Sequence, residues 1–110
     1  LIQRVRQEIL QTLPSGEPKL EQVADRLLVS QRSLQRHLEA QGISFRDLLD
    51  GIRQQSAINQ LLRTDHSLKE IAFLLGFSNQ SNFSNAFKRW TGASPGEYRA
   101  SHLQPSNIPR

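Results

Sequence analysis

The sequence predicts an all-α fold made of two similar helix-turn-helix units joined by a long connecting helix. Three observations carry that expectation. Apolar residues recur at spacings of three and four, and no stretch alternates apolar with polar in the period of a strand. Glycine and proline interrupt the chain often enough to leave room for about seven helices. The stretch "LEQVADRLLVSQRSLQRHL" also lies over "LKEIAFLLGFSNQSNFSNAF". Leu20 pairs with Leu68, Val23 with Ile71, Ala24 with Ala72, Leu27 with Leu75 and Ser30 with Ser78, all at one constant offset.

Ile2, Val5, Ile9, Leu10 and Leu13 fall on one face of a first helix, which "PSGEP" (14–18) breaks. Leu20, Val23, Ala24 and Leu27 make a short second helix. Ser30 is the expected N-cap of a third, whose buried stripe is Leu34 and Leu38 and which Gly42 ends. Ser44 followed by Asp47 has the form of a capping box. It opens a helix to Arg63, turned inward through Phe45, Leu48, Leu49, Ile52, Leu61 and Leu62. Ser67 and Glu70 form a second box, for a helix carrying Leu68, Ile71, Ala72 and Leu75 that stops at Gly76. Ser78 or Asn79 starts the sixth helix, buried through Phe83 and Phe87 and closed by Gly92. "SPGEYR" (94–99) has Ser at the cap, Pro at the first helical position and Glu three residues past the cap. The expected division is a first unit at 1–43, a connecting helix at 44–63, a second unit at 64–101 and a flexible tail at 102–110.

Past the turns the repeat shifts by one residue, so that Leu34 matches Phe83 and Leu38 matches Phe87. The second copy has one extra residue near its turn. In each copy a small alanine lets the second helix cross close over the first. The turn itself needs a permissive backbone, which Gly76 supplies. Leu28 stands there in the first copy, and the expectation is a different turn conformation.

Charge is placed unevenly. The net charge is +4, with 14 Lys and Arg against 10 Asp and Glu, and the pI of about 10.3 favours a polyanionic partner. Neither 26–38 nor 71–96 contains a carboxylate. Each window holds the second helix of one copy, with an outer face of Arg, Gln, Asn and Ser. A helix that needs only solubility mixes Lys with Glu, whereas a surface facing phosphates excludes acids.

Other functions find little support. No apolar run approaches the roughly 18 to 20 residues of a membrane span, no signal peptide opens the chain, and there are no cysteines. A cytoplasmic protein is expected, and the start at Leu1 suggests a piece of a longer one. His37, His66 and His102 are scattered without partners at ligand spacing, so no metal site is expected. There is no phosphate-binding Gly loop, nucleophile elbow or catalytic carboxylate pair; neither an enzyme nor a cofactor is indicated. Trp90 reads as a packing residue. Two rival classes are an enzyme's targeting module and a helical protein-interaction domain, the latter requiring an exposed apolar patch.

In a helix-turn-helix the second helix enters the DNA major groove with its N-terminal end leading. Opposite Leu34 and Leu38 stand Gln31, Arg32, Gln35 and Arg36; Arg pairs naturally with guanine and Gln with adenine. In the second copy Gln80, Ser81, Ser84 and Asn85 take the outward positions. Ser30, Ser78, Asn79, Lys88 and Arg89 suit phosphate contact, although Lys88 and Arg89 would also complement the end of a helix dipole. The connecting helix would be roughly 30 Å long, close to the roughly 34 Å of one DNA turn. One monomer could thus place both helices in successive major grooves.

The seven-helix layout, and above all "IAFLLGFSNQSNFSNAFKRWTGASPGEYR" (71–99), resembles the DNA-binding domain of the AraC/XylS family of bacterial transcription regulators. The match runs over about residues 3–101. Its specific part is the second half, where I-A, G-F, F-x-x-x-F-K, T-G-x-S-P and Y-R all stand in place; "SFRDLLDGIRQQSA" (44–57) fits more loosely. The resemblance implies base-reading roles for Arg32, Gln35 and Arg36. The family often has arginine where Asn85 stands, which weakens the expected guanine readout there. Activation or repression of promoters through RNA polymerase is implied for the full-length protein. So is a separate N-terminal domain for effector binding or dimerisation.

Overall fold

In the computed structural model, residues 1–102 are described. The helices are α1 (Ile2–Thr12), α2 (Leu20–Arg26), α3 (Gln31–Ala40), α4 (Phe45–Arg63), α5 (Leu68–Leu74), α6 (Gln80–Thr91) and α7 (Pro95–His102), with a 3-10 turn at Leu13–Ser15. No strand occurs among the described residues. His102 closes α7 rather than opening a tail, and the rest of the expected tail, 103–110, lies outside the described residues.

Local hydrogen bonds account for most helix starts. The Ser30 hydroxyl accepts from the Ser33 N–H at 3.0 Å, and the Asn79 side chain accepts from the Asn82 N–H at 2.8 Å. Ser67 and Glu70 cap reciprocally (3.1 and 2.8 Å), as do Ser94 and Glu97 (3.1 and 3.0 Å). Ser44 accepts from the Asp47 N–H at 3.0 Å. The expected return bond is missing there, because aspartate is one methylene shorter than the two glutamates. At the far end of α4, Arg99 donates to the carbonyls of Leu61 (2.8 Å), Gln60 (3.3 Å) and Thr64 (3.2 Å). One side chain from α7 thus gives a donor to the Leu61 carbonyl, which the helix end leaves open, and ties it to Gln60 and Thr64.

The two turns follow the repeat closely. In the first, the Leu28 N–H donates to Asp25 O (3.1 Å) and the Val29 N–H to Ala24 O (3.0 Å). In the second, Gly76 donates to Phe73 O (3.1 Å) and Phe77 to Ala72 O (3.0 Å). Leu28 adopts φ 59° where Gly76 has φ 81°, so the expected difference between the turns is absent. The paired end bonds of the Schellman motif impose the same left-handed residue on both. The extra residue of the second copy is Ser78: the structural counterpart of the cap Ser30 is Asn79, not Ser78.

One continuous apolar cluster runs from Val5 to Phe87 and draws on both units. Leu10 departs from the expected stripe and is 47% exposed, since Val5, Ile9 and Leu13 at spacings of four already fill that face of α1. On α4, Phe45 and Leu62 are only half-buried, while Ala57 and Arg53 take inward positions. Phe83 and Phe87 are fully buried, as expected, with ring centroids 5.9 Å apart. Trp90 packs beside Phe77 and Phe87 at 6.2 and 6.3 Å.

Candidate nucleic-acid interface

Each outward face is built by its own buried stripe. Leu34 and Leu38 are 0% and 1% exposed and fix the rotation of α3. Arg32, Gln35 and Arg36 are consequently exposed on the side turned away, and Gln31, the first residue of α3 and one turn before Leu34, is exposed at its leading end. Phe83 and Phe87 do the same for α6, leaving Ser81, Asn85, Lys88 and Arg89 exposed and Ser84 half-buried, while Gln80 is exposed as the first residue of the helix. Ser30 and Asn79 cap the two helices, and Ser78 accepts from the Asn82 amide at 2.8 Å. Both cap oxygens accept from their own helices, which leaves the Ser30 hydroxyl proton and the Asn79 Nδ2 group as donors. Among the described residues the ion pairs are Lys19–Glu17, Arg26–Glu8, Arg46–Asp50 and Arg53–Glu17. Arg32, Arg36, Lys88 and Arg89 take part in none of them.

Three residues escaped the reading of the sequence. Glu39 lies just past the acid-free window, yet it lines one surface hollow with Arg32, Gln35 and Arg36. Absence of acids along the chain is therefore not absence from the face. Lys88 is its counterpart on α6, counted from the matched pair Leu38 and Phe87. Lys69 lines a hollow with Ser78, Asn79, Gln80 and Ser81, at the leading end of α6.

The third is Arg53, only 2% exposed. Its Nε donates to Leu75 O at 2.9 Å and its Nη2 to Gly76 O at 3.1 Å. Its Nη1 meets Glu17 Oε1 at 3.4 Å, and the guanidinium lies 4.2 Å over the Phe77 ring. Burial pushes its pKa down and Glu17 opposes that shift. A signal was available, because Arg53 interrupts the apolar series Leu49, Ala57, Leu61 at a spacing of four.

Two matching helix-turn-helix units around one core, each presenting an exposed cationic or amide-rich helix, define a double helix-turn-helix DNA-binding domain. The helix-turn-helix domain family matches residues 23–101. The ornithine utilization regulator of Pseudomonas aeruginosa PAO1 is 46% identical over 99 residues, which cover 90% of this chain and 29% of that protein. The chain thus spans less than a third of that relative's length. Among solved structures, the C-terminal domain of AraT, a response regulator from Geobacillus stearothermophilus, is similar with a TM-score of 0.85. It is 36% identical and covers 99% of this chain and 91% of that one. The DNA-binding domain of AdpA, solved in complex with a target DNA, reaches a TM-score of 0.79 at 27% identity, covering 93% and 92%. The chain belongs to the AraC/XylS family of bacterial transcription regulators and is a DNA-binding domain of that type.

Proposed function

We propose that this chain reads a bipartite site on double-stranded promoter DNA as a monomer, with α3 and α6 in successive major grooves. The observation that carries this is the identity of the two turns, with Leu28 and Gly76 both left-handed and followed by an exposed helix free of ion pairs. Two equivalent reading heads on one core suit two grooves, and α4, 19 residues and about 28 Å long, is close to one helical turn of DNA. That the AdpA domain was solved in complex with a target DNA supports DNA as the partner. In the proposed arrangement, Gln31, Arg32, Gln35 and Arg36 read bases from α3, and Gln80, Ser81, Ser84 and Asn85 read from α6. Ser30, Ser78, Asn79, Lys88 and Arg89 contact phosphates, and Lys69 joins them.

The units divide at 1–43, 44–63 and 64–101. The proposed setting is the bacterial cytoplasm, as the C-terminal module of a regulator that acts on RNA polymerase and dimerises, if at all, through another domain. No helix of the described residues is long and apolar enough to cross a membrane. The domain is proposed to bind without catalysing a reaction, as its relatives' names as transcriptional regulators suggest.

The test is footprinting on a duplex selected from random DNA. One monomer should protect two major-groove segments about one helical turn apart, and log affinity should fall linearly with log salt. A dimer engaging one helix per subunit on a palindrome would overturn the bipartite reading. A flat salt response would point to a protein partner.

A further inference from the structure

We infer that Arg53 and Glu17 form a clamp that fixes the angle and separation of the two reading heads, and hence the half-site spacing this chain accepts. The inference rests on the bipartite reading above. The segment between α1 and α2 belongs to the first unit, and the turn after α5 belongs to the second. These two segments meet backbone to backbone: a Cβ on Gly76 would lie 2.6 Å from Gly16 O and 2.7 Å from Leu13 O. Arg53 enters this junction from α4 and bonds both sides, the carbonyls of Leu75 and Gly76 on one and Glu17 on the other. Glu17 is also paired with Lys19 at 3.7 Å, within the same segment.

The choice of a charged residue here is informative. A buried leucine would supply cohesion but would leave the Leu75 and Gly76 carbonyls without a donor. It would also let the packed segments slide, because apolar contact has no direction. A guanidinium is planar, with donors in a rigid fork, so its bonds set an angle as well as a distance. On DNA, shifting one half-site by a single base pair moves it by about 3.4 Å and turns it by about 34°. Arg53 and Glu17 are accordingly positioning residues that touch no base.

The experiment measures affinity for duplexes whose two half-sites stand at the selected spacing or one base pair closer or farther. Wild type should lose about tenfold or more at either altered spacing, because rigidly linked heads forfeit joint binding when the geometry is wrong. Glu17→Ala opens one arm of the clamp at a partly exposed position, so the fold should survive. Arg53→Lys keeps the charge and loses the fork. In both variants the loss at altered spacing should shrink to within about threefold, with affinity for a single isolated half-site unchanged. A sharp wild-type profile that both variants reproduce would overturn the clamp and leave the bipartite reading intact. A flat wild-type profile would remove the bipartite reading, and the clamp with it.

Discussion

Leu28 holds φ 59° with its side chain 91% exposed, so the first turn accepts backbone strain without any packing in return. Left-handed geometry costs a side-chain-bearing residue about 1 to 2 kcal/mol, and the greater freedom of glycine in the unfolded chain offsets about 0.4 to 1 kcal/mol of any relief. Leu28→Gly should therefore stabilise the domain by up to about 1.6 kcal/mol. A urea midpoint that falls instead would count against the strain. The residues proposed to read bases differ between copies in the same local way. Arg36 can make two charge-assisted bonds to guanine, whereas Asn85, at the matching place on α6, is neutral. Arg36→Ala should weaken the preferred site by about 1 to 3 kcal/mol, towards the upper end, and relax one base position. Asn85→Ala should cost less and barely change preference. Position-by-position mutation of the DNA decides: uniform weakening by Arg36→Ala would reassign that residue to the phosphate backbone.

At the scale of a helix, the reciprocal caps make α5 and α7 sensitive to acid. Hydrogen bonds from the Ser67 and Ser94 backbone N–H groups hold the Glu70 and Glu97 carboxyls below the usual range. A group depressed in the folded state adds stability above its unfolded value of about 4.3, and that contribution disappears as pH falls through the folded value. Glu70→Gln with Glu97→Gln keeps both caps but removes both titrations. Melting temperature between pH 7 and pH 3 should then fall less steeply than in wild type, and parallel curves would contradict the assignment. For α6 the anchor is Phe83, fully buried with the Phe77 and Phe87 rings 5.6 and 5.9 Å away. Phe83→Ala should cost about 3 to 5 kcal/mol in chemical denaturation. A variant that unfolds like wild type would mean the ring adds little to the core.

Across the whole molecule, the test of interlock is Gly76. Gly42 and Gly76 are both left-handed, at φ 73° and 81°, but a Cβ on Gly42 meets open space while one on Gly76 meets two backbone carbonyls. Gly42→Ala should cost about 1 to 2 kcal/mol, from strain alone. Gly76→Ala should exceed it by about 1 to 3 kcal/mol, because the two segments would have to part. Equal losses would show that the junction is loose. Sequence alone was enough for the helices, for the caps Ser30, Ser44, Ser67 and Ser94 with α6 left between Ser78 and Asn79, for the repeated unit and for the outward faces of α3 and α6. Those features rest on bonds three or four residues apart and on helical periodicity, both of which can be read along a chain. The missing return bond at Ser44 needed the reach of one side chain, and Glu39 needed the helix surface, where neighbours are not consecutive in sequence. Only the tertiary structure decided what Arg53 does, why Gly76 admits no side chain and how Arg99 closes α4. The Arg53 and Arg99 bonds span 22 to 39 residues. Such partners are chosen by how packed helices bring distant backbone together, and no local pattern of residue types encodes that meeting.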